Sequence, residues 1–160
     1  MSVDQLARAW RLLQEAYQHQ MEGEYEFAAD LYQQSIETFP TAEAYTFLGW
    51  TYHFQGKTQQ AIEECKKAIQ LDPDFGNPYN DIGAYLIEKG QYDEAITWLE
   101  NAIRSKRYDS YHYPYYNLGR VYLAKDMLKR AQECFEQALA IAPDYQLARD
   151  ALDKLRKRVM

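Results

Sequence analysis

The sequence predicts an all-α fold, a solenoid of four helix-turn-helix pairs followed by a closing C-terminal helix. Three observations carry this. The chain repeats itself: Tyr45-Thr-Phe-Leu48-Gly49-Trp-Thr-Tyr52, Tyr79-Asn-Asp-Ile82-Gly83-Ala-Tyr-Leu86 and Tyr115-Tyr-Asn-Leu118-Gly119-Arg-Val-Tyr122 align directly. Each is followed by an alanine twelve residues after its glycine, at Ala61, Ala95 and Ala131, and Ala28 follows Ala16 at the same distance. The composition favours helix, with only 7 Gly and 5 Pro among 160 residues.

Taken in order, the first pair is expected over 4–21 and 25–38. Gly23 lies between the two helices, where the turn needs a permissive backbone, and Pro40 ends the unit. The second pair follows over 42–55 and 58–71, with Gly56 at its turn and Pro73 at its end. The third is expected over 76–89 and 92–105. Pro78 sits just inside its first helix, where proline is tolerated, and Gly90 marks its turn. Arg107 stands where a closing proline is due, and two extra residues follow, so the stretch from Ser105 to Pro114 reads as a longer loop reaching toward one face. The fourth pair covers 112–125 and 128–141 and ends at Pro143. Residues 145–158 place Leu147, Ala148, Ala151, Leu152 and Leu155 on one stripe with charge opposite, as a capping helix requires. The units fall at about 9–41, 42–75, 76–109 and 112–145 of a single domain, 1–160. Gly49, Gly83 and Gly119 allow paired helices to approach closely, so six of the seven glycines have a role in the repeat.

This pattern resembles the tetratricopeptide repeat family: an aromatic, then Leu-Gly, then Tyr, followed by Ala-x3-aromatic and a closing proline on a 34-residue period. Ala28-x3-Tyr32, Ala61-x3-Cys65, Ala95-x3-Leu99 and Ala131-x3-Phe135 fill the second half of the motif, at spacings of 33, 34 and 36. The first unit departs from it, with Leu12, Glu15, Ala16 and His19 at the motif positions, as a terminal repeat with one wet face permits. The eight tyrosines on motif positions (25, 32, 45, 52, 79, 92, 115, 122) are expected in the core. The resemblance implies a right-handed superhelix whose concave face is lined by the first helix of each pair.

Charge and chemistry exclude several classes. A net charge of −6 argues against nucleic acid and anionic membranes as partners. Lys154, Arg156, Lys157 and Arg158 read as complements to a helix dipole. Cys65 and Cys134 fall within helical patterns and read as small hydrophobes in a reducing, cytoplasmic setting. The N-terminal stretch has no continuous apolar run, so neither a signal peptide nor a membrane span is expected. His19, His53 and His112 lack metal-site spacing, and His112 reads as a solvated loop residue. No catalytic motif, metal site or cofactor is expected, so the chain does not read as an enzyme.

The residues left over by the repeat define a groove. Helical spacing assigns Trp10, Leu13 and Tyr17 to it from the first pair, and Phe47, Trp50, His53 and Phe54 from the second, beside Thr46. The third pair gives Asn77, Asn80 and Asp81, and the fourth Tyr113, Tyr116, Asn117 and Arg120. The N-terminal half is aromatic, and the C-terminal half is rich in amides and tyrosine. Tryptophan, tyrosine and arginine are common binding anchors. Asn117 matches an asparagine with which members of the resembled family hold a ligand backbone; in the third repeat Asp81 takes that place and Asn80 is one residue off. Family members that read a chaperone's C-terminal carboxylate use several lysines and arginines, whereas Arg120 is the only cation in this inferred groove. The expected function is a scaffold or adaptor that binds a protein or peptide segment. The alternative is a self-assembling structural protein whose apolar face is buried in a homodimer.

Overall fold

The computed structural model describes residues 2–159; the end residues 1 and 160 of the expected domain lie outside them. Among the described residues nine helices follow one another: α1 (Ser2–Met21), α2 (Tyr25–Thr38), α3 (Ala42–Phe54), α4 (Thr58–Leu71), α5 (Asn77–Glu88), α6 (Tyr92–Arg104), α7 (His112–Ala124), α8 (Leu128–Ile141) and α9 (Gln146–Val159). The chain is an all-α helical-repeat solenoid. Consecutive helices pack as hairpins, each hairpin packs on the next, and α9 lies on α8. The first helices α1, α3, α5 and α7 also touch in succession, which makes them the inner wall of the solenoid.

The hairpin turns share one chemistry. At α3–α4 the Gly56 amide donates to the His53 carbonyl at 3.0 Å and the Lys57 amide to the Tyr52 carbonyl at 2.8 Å. These bonds satisfy carbonyls that the helix end leaves free, and they need a left-handed residue at the turn. Gly23, Gly56 and Gly90 supply it at φ 80, 78 and 75°, and the fourth turn uses Asp126 at φ 60°. An aspartate tolerates that region because its short polar side chain bonds locally. The missing fourth glycine therefore does not interrupt the repeat.

Packing explains the other glycines. A Cβ on Gly83 would overlap the fully buried Leu99 side chain, reaching within 2.6 Å of its Cγ. Alanine is the better helix former by about 1 kcal/mol, yet overpacking a core costs about 1–3 kcal/mol. Gly83→Ala is thus expected to destabilise the chain by roughly 1–2 kcal/mol in chemical denaturation; a gain in stability would show that α5 and α6 can separate freely.

The core runs along the solenoid in adjoining clusters. Ala16, Ala28, Tyr32 and Leu48 form the first, Cys65, Ile82, Leu99 and Val121 the central one, and Ala131, Phe135, Leu152 and Leu155 the last. Two expectations need correction. Of the eight motif tyrosines only Tyr32 is fully buried, while the other seven are half-buried; Tyr79, one of these, donates its hydroxyl to the Pro73 carbonyl at 2.9 Å. Tyr85, outside the motif, is buried instead.

The lengthened junction also differs from expectation. It does not project; it folds back on the preceding linker. The Arg107 amide donates to the Asp74 carbonyl at 2.9 Å, and the Gly76 amide donates to the Arg107 carbonyl at 3.0 Å. The Arg107 guanidinium lies 4.1 Å from the Phe75 ring centre and pairs with Asp72 at 2.7 Å and Glu43 at 3.1 Å. Gly76 is glycine because a Cβ there would sit 2.7 Å from Tyr108 Cβ. The seventh glycine is accounted for by this tertiary contact.

Candidate peptide-binding groove

The inner wall gathers residues that the repeat does not consume. Because α3, α5 and α7 lie side by side, positions at the same register of successive pairs converge. Phe47, Trp50, Asn77, Asn80, Asp81 and Tyr113 line one cavity of ≈ 380 Å³ together with Glu43, Thr46 and Phe75. Seven of the residues assigned to a groove from sequence, Thr46 among them, are thereby brought together. Tyr113 is 42% exposed and contributes its ring to the lining.

An aromatic ladder continues from this cavity toward the N-terminal end. Phe47 stacks on Tyr32 at 5.8 Å, meets Tyr17 edge-on at 5.6 Å and touches Trp50 at 6.3 Å. Trp50 meets Phe54 at 5.1 Å, and Phe54 stacks on Tyr25 at 5.4 Å. His53 stacks on Tyr85 at 4.7 Å, with its Nδ1 3.5 Å from Glu88. These rings hold one another in place, so the wall is set before any ligand arrives.

Leu13 does not belong to this surface. It is 6% exposed and sits in the first core cluster, because Ala9, Leu13, Ala16 and Gln20 form the stripe that α1 turns inward. Trp10 is half-buried against the same cluster. Polar groups form a chain across the other end. Arg120 donates to Asn117 Oδ1 at 3.0 Å, and Asn117 Nδ2 donates to Asn80 Oδ1 at 3.0 Å. Both amides are buried, so Asn117 serves first to fix Arg120 and Asn80 in the groove floor.

Asp81 is the unusual group. It is half-buried in the cavity wall, and among the described residues no lysine, arginine or histidine forms an ion pair with it. Burial raises its pKa to about 7, against a smaller lowering by the Asn80 side chain. The hydroxyl of Tyr85 and the thiol of Cys65 are also pushed up by burial and stay neutral.

Beyond Arg120 the groove opens into a second cavity of ≈ 350 Å³, between α7, α8 and α9. Tyr116, Arg120, Leu123, Leu147, Lys154 and Arg158 are among its lining residues. Arg120 is therefore not the only cation here. Arg158, in the last turn of α9, complements the helix dipole and pairs with Asp126 at 3.1 Å, and it flanks this cavity together with Lys154 and Asp150. His112 opens α7 and packs 4.1 Å from Tyr113 and 5.0 Å from Tyr145, so it is not a solvated loop residue; desolvation lowers its pKa.

Sequence reasoning missed Glu43, Phe75, Tyr145, Lys154 and Arg158. Glu43 had a signal, since it occupies the register of Trp10, Asn77 and Tyr113, 33, 34 and 36 residues apart in succession. Phe75 had none, because it lies in a linker whose place is set by tertiary contacts, the bridge to Arg107 and packing on Ala42 and Ala68. A further grouping lies at the α1–α2 turn. Gly23 turns the chain so that His19, Glu22 and Glu24 place ligand-type atoms within 4.8 Å of one another. These three could hold a metal ion, although their spacing did not suggest a site; they lie at the surface. Among the described residues no helix is long and apolar enough to cross a membrane.

Comparison with known proteins agrees with this architecture. Sequence profiles described as tetratricopeptide repeat match residues 42–75 and 74–144. The small glutamine-rich tetratricopeptide repeat-containing protein 2 of Mycosarcoma maydis is 32% identical over 104 residues, which is 64% of this chain and 29% of that protein. Among solved structures, pilF of Pseudomonas aeruginosa superposes with a TM-score of 0.90 at 23% identity, over 97% of this chain and 70% of that one. The first repeat domain of Spaghetti (RPAP3), bound to the HSP90 peptide SRMEEVD, superposes with a TM-score of 0.68 at 23% identity, over 74% of this chain and 93% of that one. The chain spans 12–29% of the length of the first three curated relatives. With its repeats, its turns and its inner wall all of one pattern, the chain belongs to the tetratricopeptide repeat family.

Proposed function

We propose that this chain is a protein-interaction scaffold that holds a peptide segment of a partner along its inner wall. The observation that carries the reading is the central cavity, where Phe47, Trp50 and Tyr113 surround the polar groups of Asn77 and Asp81. Rigid aromatics beside a few placed polar groups are what a peptide site needs. A solenoid of this fold with a bound peptide, the Spaghetti domain, supports the architecture without naming a partner. The residues line a binding surface and no catalytic step is assigned to them.

Trp50→Ala tests this directly. Trp50 presents its ring to the cavity and is braced by Phe47 and Phe54. Loss of a central aromatic anchor costs about 2 kcal/mol or more, which is roughly thirtyfold in affinity. Degenerate peptide pools measured by fluorescence anisotropy should bind the parent chain and lose that affinity in Trp50→Ala, while helical circular dichroism is kept. Unchanged binding by the variant would remove the groove from the function.

A further inference from the structure

The geometry points to a cationic side chain, an arginine or lysine of the bound segment, as the occupant of the central cavity, with Asp81 as its counter-charge and Trp50, Phe47 and Tyr113 as its walls. This rests on the groove being a peptide site and says which side chain enters it.

The cavity's own edge shows the chemistry. There the guanidinium of Arg107 lies 4.1 Å from the Phe75 ring centre and pairs with Asp72 at 2.7 Å and with Glu43 at 3.1 Å. An aromatic face and carboxylates thus already hold one cation of this chain beside the cavity, Phe75 and Glu43 being lining residues. In the same cavity an aromatic wall and a carboxylate meet again at Asp81, and among the described residues no cation pairs with it. Glu43 is already paired to Arg107, which leaves Asp81 as the cavity carboxylate free to take a charge from outside.

Energetics favour the same occupant. A half-buried carboxylate without a partner opposes folding, and its elevated pKa reflects that cost. An incoming ammonium or guanidinium would restore the missing counter-charge in a partly dry site, where the attraction is stronger than in water. A ligand carboxylate would instead meet the like charge of Asp81. The net charge of −6 favours approach of a basic segment from a distance. The central cavity is lined by the acids Glu43 and Asp81, whereas the C-terminal one carries Arg120 and Lys154 beside Asp150, with its Arg158 paired to Asp126 at 3.1 Å.

The probes are short degenerate peptide pools with one fixed central residue, arginine, lysine, leucine or glutamate, titrated into the full chain near pH 8, about one unit above the Asp81 pKa. The arginine and lysine pools should bind about tenfold tighter than the leucine pool, and the glutamate pool weakest. In Asp81→Asn, which keeps the side chain's shape, that advantage should shrink to about twofold, while Trp50→Ala should weaken every pool. Equal affinity for the arginine and leucine pools in the parent chain, or an advantage that survives Asp81→Asn, would overturn the assignment while leaving the groove as a peptide site. Failure of every pool to bind would remove the groove reading and this inference with it.

Discussion

Phe135→Ala is expected to destabilise the chain by about 3–5 kcal/mol, a large fraction of the stability of an ordinary domain. Phe135 is fully buried in the C-terminal cluster, with Ala131, Leu152 and Leu155 around it. Its ring also fills the space above Gly119, where a Cβ would fall 2.6 Å from Cδ1, and it lies 5.8 Å from Tyr116. Removing the ring leaves a cavity where α7, α8 and α9 meet, and backbones already close at Gly119 can collapse little further. Because each unit contacts only its neighbours, the loss should be local. Hydrogen exchange should show α7, α8 and α9 opening first, while amides of α1 to α4 keep their protection. Uniform loss of protection along the chain would mean that the solenoid unfolds as one cooperative block.

The second large effect depends on pH. The folded-state pKa of Asp81 is about 7, against an ordinary value of 3.8. The folded chain therefore holds this proton more tightly than the unfolded chain does. Its contribution to stability is greatest below about pH 4 and is lost as pH rises through about 7. A difference of about three units corresponds to an upper bound of about 4 kcal/mol, and partial solvent access reduces this to roughly 1–3 kcal/mol. Asp81→Asn cannot ionise, so it should exceed the parent chain in stability by that amount near pH 8, and by less near pH 5. The titratable neighbours Cys65, Tyr85 and Tyr108 are raised by burial and stay neutral over this range, and Glu43 across the cavity is paired to Arg107. Urea denaturation of both chains at the two pH values measures the difference. An Asn variant no more stable than the parent at high pH would show that water reaches Asp81 freely. Together with the binding test, the result would show a carboxylate that costs stability at rest and is compensated by a ligand.

The helices and their order were legible in the sequence because they depend on local rules. Apolar spacing set the faces, and the glycine turns set the breaks; helix limits fell within one residue of expectation except at the start of α1. The same register located most of the cavity, since Phe47, Trp50, Asn77, Asn80, Asp81 and Tyr113 sit at related positions of successive pairs. Tertiary structure decided what depends on neighbours distant in sequence. It turned Leu13 into core and joined Asn80 to Asn117 across 37 residues. It folded the loop at Arg107 onto Phe75 and Glu43, and brought Lys154 and Arg158 to the side of Arg120. Most of all, it left Asp81 in a half-buried wall where, among the described residues, no cation pairs with it. The physical reason is that a repeat encodes its own packing locally, whereas the environment of a groove charge is the sum of side chains from several repeats.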